Sequence, residues 1–341
     1  MNYPKITIVT PSFNQGQYLE QTITSILDQN YPNLEYLLID GGSTDNSVEI
    51  IKKYEKHLTY WVSEKDAGQP DAIAKGLRKA TGEIFNWINS DDYIEPGSLQ
   101  IISECFREEK ADIVAGNYRI FSDDGELDEY SKGTGIDDDY LKTLAFRGIH
   151  QPSTFWRTEI VRSLGGINPL LHYCMDWEIW LKYLLKHETD KFVTLDKTIA
   201  HIRIHPEAKT VINQGGFFFN NESKFTIEKN SILFSIAHQR GLDGIAEIFT
   251  QLSELVQDYN FKLKFDEIND DIIKGFLSYY LLRHAEVKYE SGEIEFSNLI
   301  LQNIIKELLD VEGQKKYTKL KLRSSFPEAV KIMRKITRSF E

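Results

Sequence analysis

Apolar residues alternate between two rhythms along the first half of the chain. The short runs ITIVT (6–10), LEYLLID (34–40), TYWVSE (59–64), EIFNWIN (83–89) and DIVAGNYRIF (112–121) read as strands. Between them, apolar residues recur at helical spacing. Leu19, Ile23, Ile26 and Leu27 lie at i, i+4, i+7 and i+8, which predicts a helix starting near Gly16. A second helix is expected after Ser43 and Thr44, which can cap it, and it buries Val48, Ile51 and Tyr54. Strands alternating with helices predict an α/β fold, a mainly parallel sheet flanked by crossover helices.

In such sheets ligands bind at the carboxyl ends of the strands. Asn14 follows the first strand, Asp40 ends the second, Asp66 follows the third, and Asp91 and Asp92 follow the fourth. From Gly125 to Arg147 the chain is polar, with acids at Asp137 to Asp139, and is expected to be a mobile loop that can serve as an active-site lid. Residues 176–186 look helical, with Trp177, Trp180, Leu181 and Leu184 on one side, and residues 193–205 look like a strand. After about Gly216 helix formers dominate. Two domains follow: 1–215, carrying the strand ends, and a helical C-terminal region, 216–341.

Composition narrows the function. The chain has 341 residues, 41% hydrophobic and 27% charged, which suits a folded protein with a sizeable core. A formal charge of -12 argues against a general nucleic-acid binder, which needs a basic face. Cys105 and Cys174 stand far apart and outside any CxxC spacing, so neither a disulfide framework nor a zinc site is expected. Met1 leads straight into a strand-like KITIVT, and no apolar stretch approaches the roughly 18 residues of a membrane span. A cytoplasmic protein is expected. Residues 315–341 nevertheless hold nine Lys or Arg and two acids. Met333, Ile336 and Phe340 share one face there, opposite Lys331, Arg334, Lys335 and Arg338, as in a helix lying on anionic lipid. An ordinary surface helix is the rival reading.

The sharpest local feature is Ile88-Asn89-Ser90-Asp91-Asp92, an apolar strand ending in paired carboxylates. Adjacent acids repel unless a cation or hydrogen-bond donors compensate, which suits a hard divalent ion. A helix cap at Asp92 is the rival reading.

The order of these segments carries a resemblance. TPSFNQGQYLEQTITSILDQNYPNLEYLLIDGGSTDNS and DAGQPDAIAKGLRKATGEIFNWINSDD resemble the nucleotide-binding start and the central segment of the family 2 glycosyltransferases of the GT-A fold. The similarity runs from residue 3 to about 205. It implies an inverting transfer of a sugar from a nucleotide diphosphate donor to an acceptor hydroxyl, with Mn²⁺ or Mg²⁺ as cofactor. Thr10, Pro11 and Ser12 would line the nucleotide pocket, and Asp40 would accept a hydrogen bond from the base. A carboxylate can accept from uracil N3-H, so a UDP-sugar is the first expectation; a turn carboxylate capping Gly41 and Gly42 is the alternative for Asp40. Asp66 would lie against the ribose or sugar with Asp71 behind it, and a solvated surface turn is their alternative.

Asn89 stands where the DxD motif often has its first Asp. Asp91 would hold the metal, and Asn89 and Asp92 would face the donor. Ala74 replaces an Asn common in the family. In GGINPLLHYCMDWEIWLKYLL the family usually has Glu-Asp; here Met175 takes the Glu position and Asp176 the Asp position, which the resemblance makes the general base. HIRIHPEAKT nominates His205 as a second metal ligand, against a structural role, and His150 would shape the acceptor side. Trp87 and Trp177 fit core positions as well as sugar stacking.

The acceptor expected is a sugar or a lipid-linked sugar, in cell-surface polysaccharide or glycolipid synthesis. Three rivals are weaker. A sugar nucleotidyltransferase would show a basic, glycine-rich loop after strand one, and TPSFNQGQ has no Lys or Arg. A dehydrogenase would carry GxGxxG there. A catalytically degenerate sugar-nucleotide module is suggested by Asn89, Ala74 and Met175. Nothing in the sequence speaks to oligomeric state.

Overall fold

The computed structural model describes residues 3–213, 216–219, 222–253, 255–261 and 268–326. The chain divides into two compact units, one of residues 1–135 and 148–229, the other of residues 136–147 and 230–341.

In the first unit β1 (Ile6–Ser12), α1 (Gly16–Leu27), β2 (Leu34–Asp40), α2 (Ser47–Tyr54), β3 (Tyr60–Ser63), α3 (Gln69–Lys79) and β4 (Ile84–Trp87) follow in the predicted alternation. Strands β3, β2, β1 and β4 are neighbours in that order and all parallel. Every residue of β1 is buried, as expected for a strand covered on both faces. Ile6 and Ile8 pack with Leu19, Ile23 and Ile26 of α1 and Ile51 of α2. Burying each of these side chains contributes about 2 kcal/mol relative to leaving it exposed. α3 lies so close to β1 that a Cβ at Gly76 would come 2.5 Å from a Val9 methyl. α2 starts later than expected. Its first turn is held by Asp45, which accepts from Ser47 N at 3.0 Å, while Ser43 is engaged elsewhere.

The sheet then becomes mixed. After β5 (Tyr93–Ile94) and α4 (Ser98–Glu108) come β6 (Ile113–Phe121), β7 (Asp128–Ser131), α5 (Tyr140–Phe146), β8 (Thr154–Arg157), α6 (Thr158–Ser163), α7 (Met175–His187) and β9 (Phe192–Arg203). β8 runs antiparallel between β4 and β6, β9 is parallel to β6, and β5 is antiparallel to β9. Since β2 and β3 lie on one side of β1 and β4 on the other, a crevice opens at the carboxyl ends of β1 and β4. β10 (Thr210–Asn213) and β11 (Gly216–Phe219) form a separate hairpin.

Residues 125–147, which read as irregular, contain β7 and α5, and α5 belongs to the second unit. That unit also holds the later part of α8 (Glu222–Gln239), α9 (Asp243–Leu252), α10 (Asp270–Glu290), α11 (Ile294–Gln302) and α12 (Val311–Ser325). Asp139 caps α5 and also receives the Tyr279 hydroxyl at 2.6 Å. The same hydroxyl accepts from Asp310 N at 2.7 Å, and Asp310 caps α12 and binds Lys142 Nζ at 2.7 Å. A Cβ at Gly275 would lie 2.6 Å from a Leu141 methyl, so glycine lets α5 seat on α10. On α12, Lys315, Lys319, Leu322 and Phe326 are exposed. The rest of the basic segment, 327–341, lies outside the described residues. Among the described residues no helix is long and apolar enough to cross a membrane.

Candidate active site

The crevice opens into a cleft of about 1020 Å³. One wall is the turn after β1, where Asn14 adopts φ 51, a left-handed conformation asparagine tolerates. Its Oδ1 accepts from Thr44 N at 2.8 Å and its own N–H donates to Ser43 Oγ at 2.8 Å, so the β1 and β2 loops are tied together. Pro11 and Ser12 line the cleft, and the Ser12 hydroxyl is buried without a hydrogen-bond partner. Phe13, 59% exposed, stands at the same wall and offers an aromatic face to a planar base.

Thr10 and Asp40 lie beneath this surface. Thr10 is buried against the Tyr36 hydroxyl, 3.1 Å away. Asp40 is fully buried, and its oxygens accept from Gly42 N (3.1 Å), Ser43 N (2.9 Å), Ser43 Oγ (2.5 Å) and Ser63 Oγ (2.6 Å). Three of these donors fall on Oδ2 and one on Oδ1, so Asp40 shapes the Gly41–Ser43 turn from beneath and is not part of the cleft lining. Asp66 does face the cleft. It accepts from Gly68 N at 2.8 Å, packs where a Cβ on Gly41 would be 3.0 Å from its oxygens, and burial raises its pKa. Asp71 is not part of the cleft lining; it accepts from Ala67 N and pairs with Lys75 at 3.5 Å.

The end of β4 supplies the opposite wall. Asn89 is spent on its neighbours: Oδ1 accepts from Gln69 Nε2 at 2.6 Å and Nδ2 donates to Asp92 Oδ2 at 3.0 Å. Asp92 is buried and accepts from Arg203 N at 3.1 Å; burial and then the adjacent Asp91 charge raise its pKa well above the ordinary carboxylate value. Asp91 is the more open of the two. Its Oδ2 lies 3.1 Å from His205 Nε2 and 3.3 Å from Gln15 Nε2. Thus the fold brings together Asp91 and His205, 114 residues apart, as the resemblance implied.

A hard divalent ion is commonly held by one or two carboxylates together with substrate phosphates and water. Among the described residues no group of three or more His, Cys, Asp or Glu is placed to hold an ion. Asp91 and His205 therefore fit as a partial set, one oxygen and one nitrogen donor, that a diphosphate and water would complete.

A smaller cavity of about 300 Å³ adjoins the cleft and shares Gln69, Asn89, Asp92, His172, Ile202 and Lys209 with it. Asp176, in the first turn of α7, lines it. Its Oδ1 accepts from Trp177 N at 2.7 Å, yet burial dominates and raises its pKa to about 6. Such a carboxylate is a base poised near neutral pH. His150 lines the same cavity beside the Tyr118 ring, and burial lowers its pKa to about 4, so it is neutral at physiological pH. Trp87 lines it too, whereas Trp177 packs under Lys229.

Several residues here escape sequence reasoning. Glu228, on α8, is buried and accepts from His172 N (2.8 Å), Tyr173 N (2.8 Å) and Cys174 N (2.9 Å), fixing the turn that leads into Asp176. Arg203 donates through Nε to Asp91 O at 3.0 Å, pairs with Gln21 and Asp123, and stacks between Tyr18 and Phe121. Lys209 reaches Gln69 Oε1 at 2.6 Å and His172 O at 2.8 Å at the junction of the two cavities. A lone polar residue in a late segment carries no local pattern, and only the β9 pairing brings Arg203 to Asp91.

The parallel four-strand core thus carries an acid and an imidazole at its strand ends and a raised carboxylate at a helix start. The model described as Glycosyl transferase family 2 matches residues 7–175, so the chain carries a family 2 glycosyltransferase domain there. It is similar to the glycosyltransferase GlyA of Streptococcus pneumoniae serotype 4, 34% identical over 121 residues, 35% of this chain and 17% of that protein. It is also similar to the putative teichuronic acid biosynthesis glycosyltransferase TuaG of Bacillus subtilis, 32% identical over 133 residues, 37% of this chain and 52% of TuaG. The chain spans 17%, 65% and 44% of the length of three curated relatives it matches. The solved S. aureus TarS 1-349 shares the GT-A fold, with TM-score 0.58, 16% identity, and 95% of this chain and 92% of that one covered. That protein has also been solved in complex with UDP-GlcNAc (TM-score 0.55, 14% identity, 94% and 91% covered).

Proposed function

We propose that the chain is a metal-dependent, inverting glycosyltransferase that moves a sugar from a nucleotide diphosphate, UDP first, to an acceptor hydroxyl in cell-surface polysaccharide or glycolipid synthesis. The observation that carries this reading is the pairing of two cavities: a nucleotide-sized cleft with Asp91 and His205 at 3.1 Å, and beside it a smaller cavity walled by Asp176 with a pKa of about 6. The uridine-bound TarS and the name of TuaG support the donor and the polysaccharide setting.

Pro11, Ser12 and Phe13 bind the nucleoside, and Asp66 lies against its ribose or sugar. Asp40 acts indirectly, by holding the Gly41–Ser43 turn. Asp91 and His205 hold a divalent ion, which when bound neutralises charge gathering on the leaving diphosphate. The acceptor oxygen attacks the anomeric carbon while Asp176 takes its proton, and the bond from that carbon to the diphosphate oxygen breaks on the opposite face, inverting the centre. We place this chemistry in the domain of residues 1–215, at the cytoplasmic side of a membrane reached through the basic segment 315–341.

The experiment is a panel of UDP- and GDP-sugars with Mn²⁺ or Mg²⁺, following release of nucleoside diphosphate with and without EDTA. Metal-dependent release from one donor is expected. Binding without release under every acceptor would turn the reading to a degenerate sugar-nucleotide module.

A further inference from the structure

The smaller cavity has an unusual division of chemistry. Trp87, Ile149, Pro152, Met175 and Ile202 give it an apolar wall, and Met175 stands beside Asp176, at the position where the family it resembles usually has Glu. Its polar lining is largely committed already. Both ends of the Asn89 amide are taken by Gln69 and Asp92, and the Lys209 ammonium is held by Gln69 and the His172 carbonyl.

Gln151 adds an acceptor whose orientation is fixed by the groups around it. Asn86 Nδ2 donates to Pro152 O at 3.1 Å and Asn86 Oδ1 accepts from Trp87 N at 2.8 Å, so that oxygen is an acceptor. Gln151 Nε2 then donates to Asn86 Oδ1 at 2.9 Å and to Trp87 O at 2.5 Å. Two carbonyl oxygens consume both amide hydrogens, which leaves Gln151 Oε1 as the atom this side chain offers to the cavity. A hydrogen-bond acceptor beside an apolar wall matches an acetamido group, whose N–H donates while the methyl on its carbonyl carbon covers the wall. A sugar hydroxyl can donate to the same oxygen but has no methyl to cover that wall.

Building on the transferase reading above, we propose that this cavity selects a donor whose sugar carries an acetamido group, with Gln151 Oε1 accepting its N–H and Met175 packing on its methyl. Met175 is then a specificity-determining residue. A 6-deoxy sugar also brings a methyl but has no N–H for Gln151.

The test is calorimetric binding of UDP, UDP-GlcNAc, UDP-Glc and UDP-6-deoxyglucose to the full chain with Mn²⁺, for the parent and for Met175→Gln. The parent is expected to bind UDP-GlcNAc at least tenfold more tightly than UDP-Glc or UDP-6-deoxyglucose. Met175→Gln is expected to bring that ratio near one while leaving the affinity for UDP itself unchanged, which also reports that the variant is folded. Equal affinities in the parent, a preference for the 6-deoxy donor, or an unchanged ratio in a variant that still binds UDP would each overturn the inference and leave the transferase reading standing. No binding of UDP by the parent would overturn the uridine-donor reading and this inference with it.

Discussion

Asp176 shows how one burial event sets both activity and stability. Its pKa is raised to about 6, so the basic form fills in as pH climbs through that value. Sugar transfer is expected to rise about tenfold per pH unit below 6 and to level off above it; a profile flat from pH 5 to 8 would remove Asp176 as the base. The stability sign is opposite. A carboxyl whose folded pKa exceeds its unfolded value contributes stability that is present below about pH 4 and is lost as pH rises through 6. Asp176→Asn is therefore expected to abolish transfer yet unfold with a free energy on the order of 2 kcal/mol higher at pH 7.5, a gain that vanishes near pH 4 in urea titrations.

At the other end of the site, Asp91→Ala and His205→Ala are each expected to lower transfer by on the order of 100-fold, with part of the loss recovered at raised Mn²⁺ for His205→Ala alone. Recovery in neither or both, read from turnover across a metal titration, would mean the two do not share an ion as carboxylate and auxiliary donor. Asp66 and Asp91 stand out in the sequence as acids after strand-like segments, and Asp176 stands out through the family resemblance. Asp40 looked identical by that criterion. What sets it apart is its set of donors, among them Ser63 from the next strand, a contact 23 residues away that local pattern does not reveal.

Among the elements, α7 depends on a helix other than its sequence neighbours. Glu228 receives three consecutive backbone N–H groups ahead of α7, and removing its carboxylate takes the acceptor from all three, the Cys174 donor among them being buried. Glu228→Ala is expected to cost on the order of 3 kcal/mol and to lower kcat more than the affinity for UDP, since the base moves and the nucleotide wall does not. Equal loss in both, measured on protein still folded at the assay temperature, would count against a positioning role. β1, β2, α1 and α7 were readable because each buries a stripe of its own. α5 was not: seven residues are too short to show a helical period, and its partner α10 lies about 130 residues on.

For the molecule as a whole, the notable fact is that the second unit takes residues 136–147 out of the middle of the first. A fragment ending at residue 229 is expected to lose solubility, because Leu144 and Ala145, buried in the full chain, lose the α10 surface that Gly275 opens to α5. A fragment as soluble and as resistant to protease at 136–147 as the full chain would contradict this. On α12, Lys315 and Lys319 flank the exposed Leu322 and Phe326. Lys315→Glu with Lys319→Glu is expected to reduce flotation with vesicles containing phosphatidylglycerol at least threefold, with no effect on neutral vesicles. Unchanged flotation would end the case for this face as a lipid contact.

The same interruption has a consequence in time. During synthesis α5 is complete 124 residues before α10 begins (146 to 270) and 179 before α12 ends (146 to 325). At roughly 5–20 residues per second, α5 waits on the order of 10 s or more for the helices it caps against, with its apolar face open to water or to chaperones. The order of the genetic message thus leaves residues 136–147 open to misassembly over that interval, and a pause in translation before α10 would lengthen it.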